Sequence, residues 1–225
     1  MNEATNEATN EEFNVMLLVD GDRRWAKRRG LPISEGYAAM TDKIAFCCDY
    51  LSGKGVTTLY MPVCSMHNLS RPRAEVESFL DAFLAVPDRL AAPVTIGVGG
   101  NLSALPGDYP QRYAELPSRG RPDGIMELVI MPAWSAEDEM VRIYNRLHPV
   151  YPTIDTKILA SESDVRRPLH LWIRTGMAQR LSSLWSVTSP YAELYFLDIL
   201  FPDITAEHLD EALEFYTQRE CREGL

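Results

Sequence analysis

Several features that would place the chain in a common class are missing from this sequence of 225 residues. No apolar run reaches the length of about 20 residues that spans a bilayer, and no signal-peptide pattern opens the chain. Neither the G-x-G-x-x-G fingerprint of dinucleotide enzymes nor a P-loop occurs. We therefore expect a cytoplasmic protein, with at most peripheral membrane association, that is neither a dinucleotide enzyme nor a Walker-type NTPase.

Cysteine is also scarce. The chain has four cysteines, and Cys47 and Cys48 are adjacent. None has CxxC or metal-ligand spacing, which argues against a zinc site or a redox motif. Buried, reduced thiols are the expectation.

Positive charge is in deficit over the chain as a whole. There are 22 Lys and Arg against 32 Asp and Glu, a formal net charge of -10, which argues against a nucleic-acid partner. The hydrophobic fraction of 46% is that of a globular protein with a substantial core. We expect residues 1–12, a short acidic repeat, to be a disordered tail and residues 13–225 to form a single domain.

Short apolar runs alternate with longer helical patterns, which indicates an α/β fold with a mainly parallel six-stranded sheet flanked by helices. Ligands of such open sheets bind beyond the carboxyl ends of the strands, where Asp20, Ser65 and Arg174 fall. The predicted strands are 15–19, 56–63, 94–98, 128–131, 169–173 and 193–197, and the main predicted helices are 34–51, 73–90, 136–147 and 206–222.

The segment from Asp20 to Gly30 concentrates cations at the end of the first predicted strand. Asp20 offers carboxylate oxygen to a hard cation such as Mg²⁺. Arg23 and Arg24, beside the first N–H groups of the next helix, suit phosphates. The pattern predicts a diphosphate site. A solvated basic helix face or a nucleic-acid patch is the alternative for a basic run of this kind.

Two further segments could bind anions. Ser65 to Pro72 follows the second strand and contains His67, Asn68 and Arg71, although an ordinary strand–helix connection has a similar composition. Arg174, Arg180 and Ser182 surround a glycine after the fifth strand, where a plain surface loop is the alternative. Glu193 stands in an apolar stretch, where a metal or an arginine would have to balance its charge.

These motifs together resemble the cis-prenyltransferase family, whose best-known members are the undecaprenyl diphosphate synthases. Five motifs carry the resemblance in order: Asp20-Gly21-x-x-Arg24-Trp25-Ala26-Lys27, Ser65-x-x-Asn68-x-x-Arg71-Pro72, Ile173-Arg174-Thr175-Gly176, Ala192-Glu193-Leu194-Tyr195-Phe196 and Arg222-x-Gly224. The resemblance implies a homodimer with a hydrophobic substrate tunnel and Mg²⁺-dependent joining of prenyl diphosphates.

The same resemblance implies residue roles. Asp20 would bind metal and diphosphate, Glu193 would assist with Mg²⁺, and Asn68 with Ser65 would take part in catalysis. Arg222 and Gly224 would come from the partner subunit. The residues expected to bind substrate are Gly21, Asp22, Arg23, Arg24, Trp25, Tyr37, His67, Arg71, Arg174, Arg180, Ser182, Arg222 and Gly224.

Departures from the family pattern indicate its irregular branch. The usual Asp-Gly-Asn-Gly-Arg-Trp reads Asp-Gly-Asp-Arg-Arg-Trp here, and Ile33 and Tyr37 replace an arginine and a histidine. The substituted motifs look like those of lavandulyl, cyclolavandulyl and isosesquilavandulyl diphosphate synthases, which implies head-to-middle joining. We expect dimethylallyl and geranyl diphosphates to give isosesquilavandulyl diphosphate. The alternatives are two dimethylallyl units giving a lavandulyl-type product, a regular head-to-tail synthase, and a non-catalytic partner subunit.

Two points stay open at this level. Phe79 and Phe83 are four residues apart on one helix face and, with Val63, are expected to limit the tunnel to a C10 or C15 product, although core packing is the simpler reading. The base that removes the final proton could be Asn68 with Ser65, His67, or the released diphosphate.

Overall fold

A six-stranded sheet runs through the centre of the protein, which a computed structural model describes over residues 12–219. The strands lie in the order β3-β4-β2-β1-β5-β6, and each of the five neighbouring pairs is parallel. The predicted α/β class and strand number are confirmed. The strands are β1 (Asn14–Leu18), β2 (Thr58–Val63), β3 (Val94–Val98), β4 (Met126–Pro132), β5 (Leu171–Arg174) and β6 (Glu193–Phe196).

Helices flank the sheet. They are α1 (Asp22–Arg28), α2 (Ile33–Ser52), α3 (Arg73–Leu84), α4 (Tyr109–Ala114), α5 (Ala136–Leu147), α6 (Thr156–Glu162) and α7 (Ala206–Thr217). The predicted helix 73–90 is too long: α3 ends at Leu84, and Val86–Arg89 forms a 3-10 turn that contains a proline near its start. That proline cannot continue an α-helix because it lacks the N–H donor. The predicted helix 206–222 is also too long, because α7 ends at Thr217. Residues 220–222 and the predicted tail 1–12, except residue 12, lie outside the described residues.

Apolar side chains are buried on both faces of the sheet. All five residues of β1 are buried; Val15 and Leu17 join one core cluster, while Met16 and Leu18 join the other. Strands buried on both faces have continuous apolar runs instead of alternating ones, which explains the pattern of this segment. Within the described residues no helix combines the length and hydropathy needed to cross a membrane.

Close backbone contacts position α1 over the end of the sheet. Gly21 has a φ of +117°, and a Cβ there would lie 2.7 Å from Leu200 Cδ2. A Cβ on Gly36 of α2 would lie 2.5 Å from the Asp22 carbonyl oxygen. These glycines let α1 lie directly against α2 and the segment after β6. The basic helix is thereby held at the carboxyl ends of the strands.

Candidate active site

The carboxyl ends of β1, β2 and β5 meet at one edge of the sheet and surround a cavity of about 880 Å³. Twelve of the predicted site and tunnel residues line it. They are Asp20, Gly21, Asp22, Arg23, Arg24, Tyr37, Ser65, Asn68, Arg71, Phe79, Arg174 and Ser182. Residues as far apart in sequence as Asp20 and Ser182 are thus brought together because parallel strands present their ends at the same edge.

Asp20 lies between two arginines. Its Oδ1 accepts a hydrogen bond from Arg24 Nη2 at 3.0 Å, and its Oδ2 accepts one from Arg174 Nη2 at 3.2 Å. Its backbone N–H donates to Thr175 Oγ1 at 3.0 Å. A Cβ on Gly176, whose φ is +90°, would lie 2.6 Å from Asp20 Cγ. The glycine therefore leaves the room that this carboxylate occupies.

Arg174 is a buried cation with spare hydrogen-bonding capacity. Its side chain is 7% exposed. Nη1 donates to Ser182 Oγ at 3.1 Å and to the Arg180 carbonyl oxygen, whereas Nε has no partner among the described residues. Ser182 and Ser183 both have left-handed φ angles, 52° and 63°, a strained arrangement that is common at functional sites. An anion at the cavity would complete the donors of this arginine.

Asp22 is the second buried group with an unpaired atom. It is 5% exposed, and its Oδ1 has no hydrogen-bond partner in the described part of the chain. Burial raises the pKa of this carboxyl to about 7, and the neighbouring Asp20 charge adds to the rise. The raised pKa favours the neutral, protonated form of Asp22.

Ser65 and Asn68 form a local pair at the end of β2. Asn68 Oδ1 accepts hydrogen bonds from the Ser65 backbone N–H at 3.0 Å and from Ser65 Oγ at 3.1 Å. The pair caps the 3-10 turn Met66–Ser70. Both side chains line the cavity. They can orient a phosphate oxygen, although neither a hydroxyl nor an amide is a strong base.

Six other predicted residues do not line the cavity: Trp25, Val63, His67, Phe83, Arg180 and Glu193. The indole N–H of Trp25 donates to Asp203 Oδ1 at 2.7 Å, and the Arg29 guanidinium lies 4.2 Å from its ring centroid. Trp25 therefore ties α1 to the 3-10 turn Phe201–Asp203. Arg222 and Gly224 lie outside the described residues.

Glu193 lies far from Asp20 within one chain. Glu193 is the first residue of β6 and pairs with Leu171 of β5. Leu171 in turn pairs with Val15 of β1. Five residues of strand, roughly 16 Å at about 3.3 Å each, separate Val15 from Asp20. The two carboxylates therefore do not form one site in a single chain, and the metal role of Glu193 stays a prediction.

The donor set fits one way of holding Mg²⁺. The described residues contain no group of three or more His, Cys, Asp and Glu side chains that could hold a metal ion. Mg²⁺ is commonly bound by one or two carboxylates together with substrate phosphates. Asp20, with a side chain that is 37% exposed beside the phosphate-binding arginines, offers that arrangement.

Among the charged residues, Lys27 at the cavity and Glu75 beside it were not among the predicted site residues. Lys27 lines the cavity, and Glu75 contacts Arg23, Arg71 and Tyr37. Lys27 had a signal in its spacing, since it is four residues after Arg23 on α1, and side chains at this spacing face the same way on a helix. Glu75 had no such signal, because Arg71 precedes the start of α3.

Comparisons with known proteins point to one family. A family model described as "Putative undecaprenyl diphosphate synthase" matches residues 18–224. The isoprenyl transferase of Treponema denticola is 31% identical over 224 residues, which cover 96% of this chain and 99% of that protein. The isoprenyl transferase of Porphyromonas gingivalis is 30% identical over 226 residues, with coverage of 94% and 89%.

One solved structure shares the fold. The crystal structure of lavandulyl diphosphate synthase from Lavandula x intermedia in complex with dimethylallyl diphosphate superposes with a TM-score of 0.83. The sequence identity is 24%, and the match covers 92% of this chain and 95% of that one. The parallel sheet and its flanking helices are therefore those of a known architecture.

Proposed function

Because this chain belongs to the undecaprenyl diphosphate synthase family of prenyltransferases, we propose that it joins geranyl and dimethylallyl diphosphates head to middle. The product of that reaction is isosesquilavandulyl diphosphate. The observation that carries the proposal is a single cavity with charge on one wall and apolar surface on another. Asp20, Arg24 and Arg174 line the cavity in contact with one another and are called the charged wall here. The apolar lining residues, such as Ile33 and Phe79, are called the apolar wall.

The charged wall suits the departure of a diphosphate. Asp20 would hold Mg²⁺, which supplies positive charge to the leaving group when it is bound. Arg23, Arg24 and Arg71 line the same wall and stabilise the negative charge that develops there. The C1–O bond of the geranyl donor breaks, and its electron pair leaves with the diphosphate. Arg174 and Ser182 are placed to hold the diphosphate of the second substrate.

The apolar wall suits the carbon chemistry. The alkene electrons of dimethylallyl diphosphate form a bond from its central carbon to C1 of the donor, which leaves a tertiary cation. Buried apolar side chains that line the cavity, such as Leu18 and Phe79, keep water from that cation. Loss of a proton from the adjacent carbon restores an alkene and completes the product.

The released diphosphate is the proposed proton acceptor. Ser65 and Asn68 line the cavity and orient it, whereas His67 does not line the cavity. We expect the His67→Asn enzyme to keep the wild-type pH–rate profile. If the pH–rate profile of the variant lacks an inflection near the pKa of histidine that the wild type shows, His67 is the proton acceptor instead.

Ile33 and Tyr37 support the irregular assignment. Both line the cavity, at the positions where the family pattern has an arginine and a histidine. They replace two phosphate contacts with apolar and aromatic surface, while Arg23 adds a cation to the cavity lining. The cavity therefore has fewer polar contacts and more hydrocarbon surface than the regular pattern predicts.

Product analysis tests the proposal directly. Purified protein with Mg²⁺ is offered isopentenyl, dimethylallyl and geranyl diphosphates singly and in pairs, and products are identified by mass spectrometry and NMR. We expect a branched C15 diphosphate only from the dimethylallyl and geranyl pair. A C10 product from dimethylallyl diphosphate alone would indicate the lavandulyl reaction, and a need for isopentenyl diphosphate would indicate regular elongation. Absence of any turnover would indicate a non-catalytic subunit.

The aromatic side chains of the apolar wall provide a test of product length. Phe79 lines the cavity and makes an edge-on contact with Tyr37 at 5.1 Å between centroids; fully buried Phe83 lies behind it at 5.2 Å. We expect the Phe79→Ala/Phe83→Ala double variant to accept a longer allylic donor, because the space of both rings opens into the cavity. Phe83→Ala alone is the control, since Phe79 still closes the end. Unchanged product length in the double variant would remove this role.

The proposal includes a homodimer in which Arg222 and Gly224 complete the site of the other subunit. Mixing inactive Asp20→Ala and Arg222→Ala chains tests this idea. In a mixed dimer one site combines an intact Asp20 with an intact Arg222, so partial activity returns. No recovery after verified subunit exchange would show that Arg222 acts within its own chain or not at all.

A further inference from the structure

Glu75 lies directly behind the charged wall of the cavity. It belongs to the first turn of α3, immediately after the Arg71-Pro72 segment. Its side chain is 14% exposed, yet it is not among the residues that line the cavity. A carboxylate that is mostly removed from solvent needs partners, because an unpaired charge is costly there.

Three residues of the cavity wall supply those partners. Glu75 Oε1 lies 3.3 Å from Arg23 Nε and 3.5 Å from Arg71 Nη1, and it accepts a hydrogen bond from the Tyr37 hydroxyl at 3.4 Å. These partners come from α1, from the segment before α3, and from α2. One carboxylate oxygen therefore connects three separate pieces of the wall.

The contacts leave each arginine able to bind an anion. A guanidinium has five N–H donors, and Glu75 is approached by one nitrogen of Arg23 and one of Arg71. No other carboxylate in the described chain forms an ion pair with either residue. The remaining N–H groups are available to the cavity that both side chains line.

Tyr37 is held as a neutral donor. Burial raises the pKa of its hydroxyl to about 12, and the Glu75 charge contributes to the rise. The ring of Tyr37 contacts Phe79 at the apolar wall. Glu75 thus links the position of the phosphate-binding arginines to the aromatic surface beside the hydrocarbon.

We propose that Glu75 is a positioning residue for prenyl transfer, which holds Arg23, Arg71 and Tyr37 in the geometry that the donor diphosphate requires. The inference rests on the proposed use of this wall by the donor diphosphate. The Glu75 carboxylate also cancels part of the positive charge of Arg23 and Arg71. It therefore weakens the simple attraction of these arginines for an anion while it improves the placement of their side chains. Binding and rate should therefore respond in opposite directions when the charge is removed, because catalysis depends on how closely the groups are placed.

The test compares Glu75→Gln with wild type. We expect the single-turnover rate to fall about tenfold, and inorganic diphosphate to bind about three- to tenfold more tightly in calorimetry. Glu75→Asp keeps the charge with a shorter reach, so its rate should fall while diphosphate affinity stays at the wild-type value. Single-turnover measurement keeps slower product release from contributing to the rate.

Glu77→Gln is the matched control. Glu77 lies on the same helix, and Glu77→Gln removes the same charge. Glu77 pairs with exposed Arg73 at 2.7 Å and not with the cavity wall. We expect wild-type rate and diphosphate affinity there. Wild-type values in both Glu75 variants, or the same change in Glu75→Gln and Glu77→Gln, would overturn the proposal. Diphosphate affinity is measured without prenyl substrates, so a wrong assignment of the product would leave this outcome unaffected.

Discussion

Two charged clusters lie at the carboxyl edge of the same sheet, and they differ in how completely their groups are paired. The first is the candidate site at the ends of β1, β2 and β5. The second, here called the β3–β4 cluster, consists of Asn101, Asp138, Glu139, Arg142 and Asp164. Both clusters combine carboxylates with arginine, yet only the first surrounds the large cavity.

The β3–β4 cluster satisfies its own charges. Arg142 donates to Asp138 at 2.8 Å and to Asp164 at 3.0 Å, and Asn101 donates to Asp138 at 3.1 and 3.2 Å. Glu139, which is 3% exposed, accepts from the Asp164 backbone N–H at 2.6 Å and from Ser163 Oγ at 3.2 Å. Such a closed network stabilises a fold and leaves little for a ligand to bind.

The candidate site contains buried polar atoms that have no hydrogen-bond partner among the described residues. The described chain has three buried side-chain polar atoms without partners, and two of them, Asp22 Oδ1 and Arg174 Nε, belong to residues that line the cavity. The third is the indole nitrogen of Trp134. Charge alone therefore does not distinguish the two regions. The unpaired buried atoms do, because two of the three belong to residues that line the cavity, and four substitutions can test that distinction.

The largest effect is expected at Asp20. Asp20→Ala should lower kcat about a thousandfold, because the leaving diphosphate loses the carboxylate proposed to hold its metal. The free energy of unfolding should fall by only about 1 kcal/mol, since this side chain is 37% exposed and Arg174 keeps its bonds to Ser182 and the Arg180 carbonyl. Steady-state kinetics and urea denaturation measure the two quantities. Near-normal turnover would remove the proposed mechanism.

At Arg142 we expect a large effect on stability and a small effect on activity. Arg142→Ala leaves Asp138 and Asp164 without their cation, so the free energy of unfolding should fall by about 3 kcal/mol while kcat stays within about threefold. Arg146→Ala is the control on the same helix. Its ion pair with Glu162 is more exposed and should contribute less than about 1 kcal/mol. A large loss of kcat in folded Arg142→Ala would make the β3–β4 cluster part of the active site.

The contrast between local and distant information explains what could be predicted. The apolar run of β1, the acid that follows it and the cations of α1 are consecutive in sequence, so the strand, Asp20 and Arg24 were predictable. The α6 helix also had a local signal, since Asp155 Oδ1 accepts from the Ile158 N–H at 2.9 Å as an N-cap, but its seven residues are too few for a clear apolar period.

Other features depend on packing between distant segments. Glu75 reaches Arg23 across 52 residues, and Asp164 reaches Arg142 across 22. No local pattern predicts which charged side chains will meet in this way. The same limit applies to Trp25, whose neighbours in sequence line the cavity while its own partner, Asp203, is 178 residues away. The substrate-binding role of Trp25 stays a prediction.

A smaller effect is expected from pH. Burial raises the pKa of Glu139 from 4.5 to about 6, with the Asp164 charge adding to the rise. The protonated form is favoured in the folded state, so this contribution to stability is complete below about pH 4.5 and is lost as pH rises through 6. The loss amounts to about 2 kcal/mol. Glu139→Gln should remove it, so the difference in unfolding free energy between wild type and variant should change with pH over that window. A constant difference from pH 4.5 to 7 would contradict the raised pKa.

The smallest effect is expected at Trp25, which supports the candidate site without lining it. Trp25→Phe keeps an aromatic ring under the Arg29 guanidinium but removes the N–H that donates to Asp203 at 2.7 Å. The free energy of unfolding should fall by about 1 kcal/mol. Because α1 stays in contact with α2 through Gly36, kcat/KM should change by less than about threefold. If kcat/KM instead falls tenfold or more at unchanged stability, Trp25 contacts the substrate, and the wall of the binding site extends further along α1 than the cavity does.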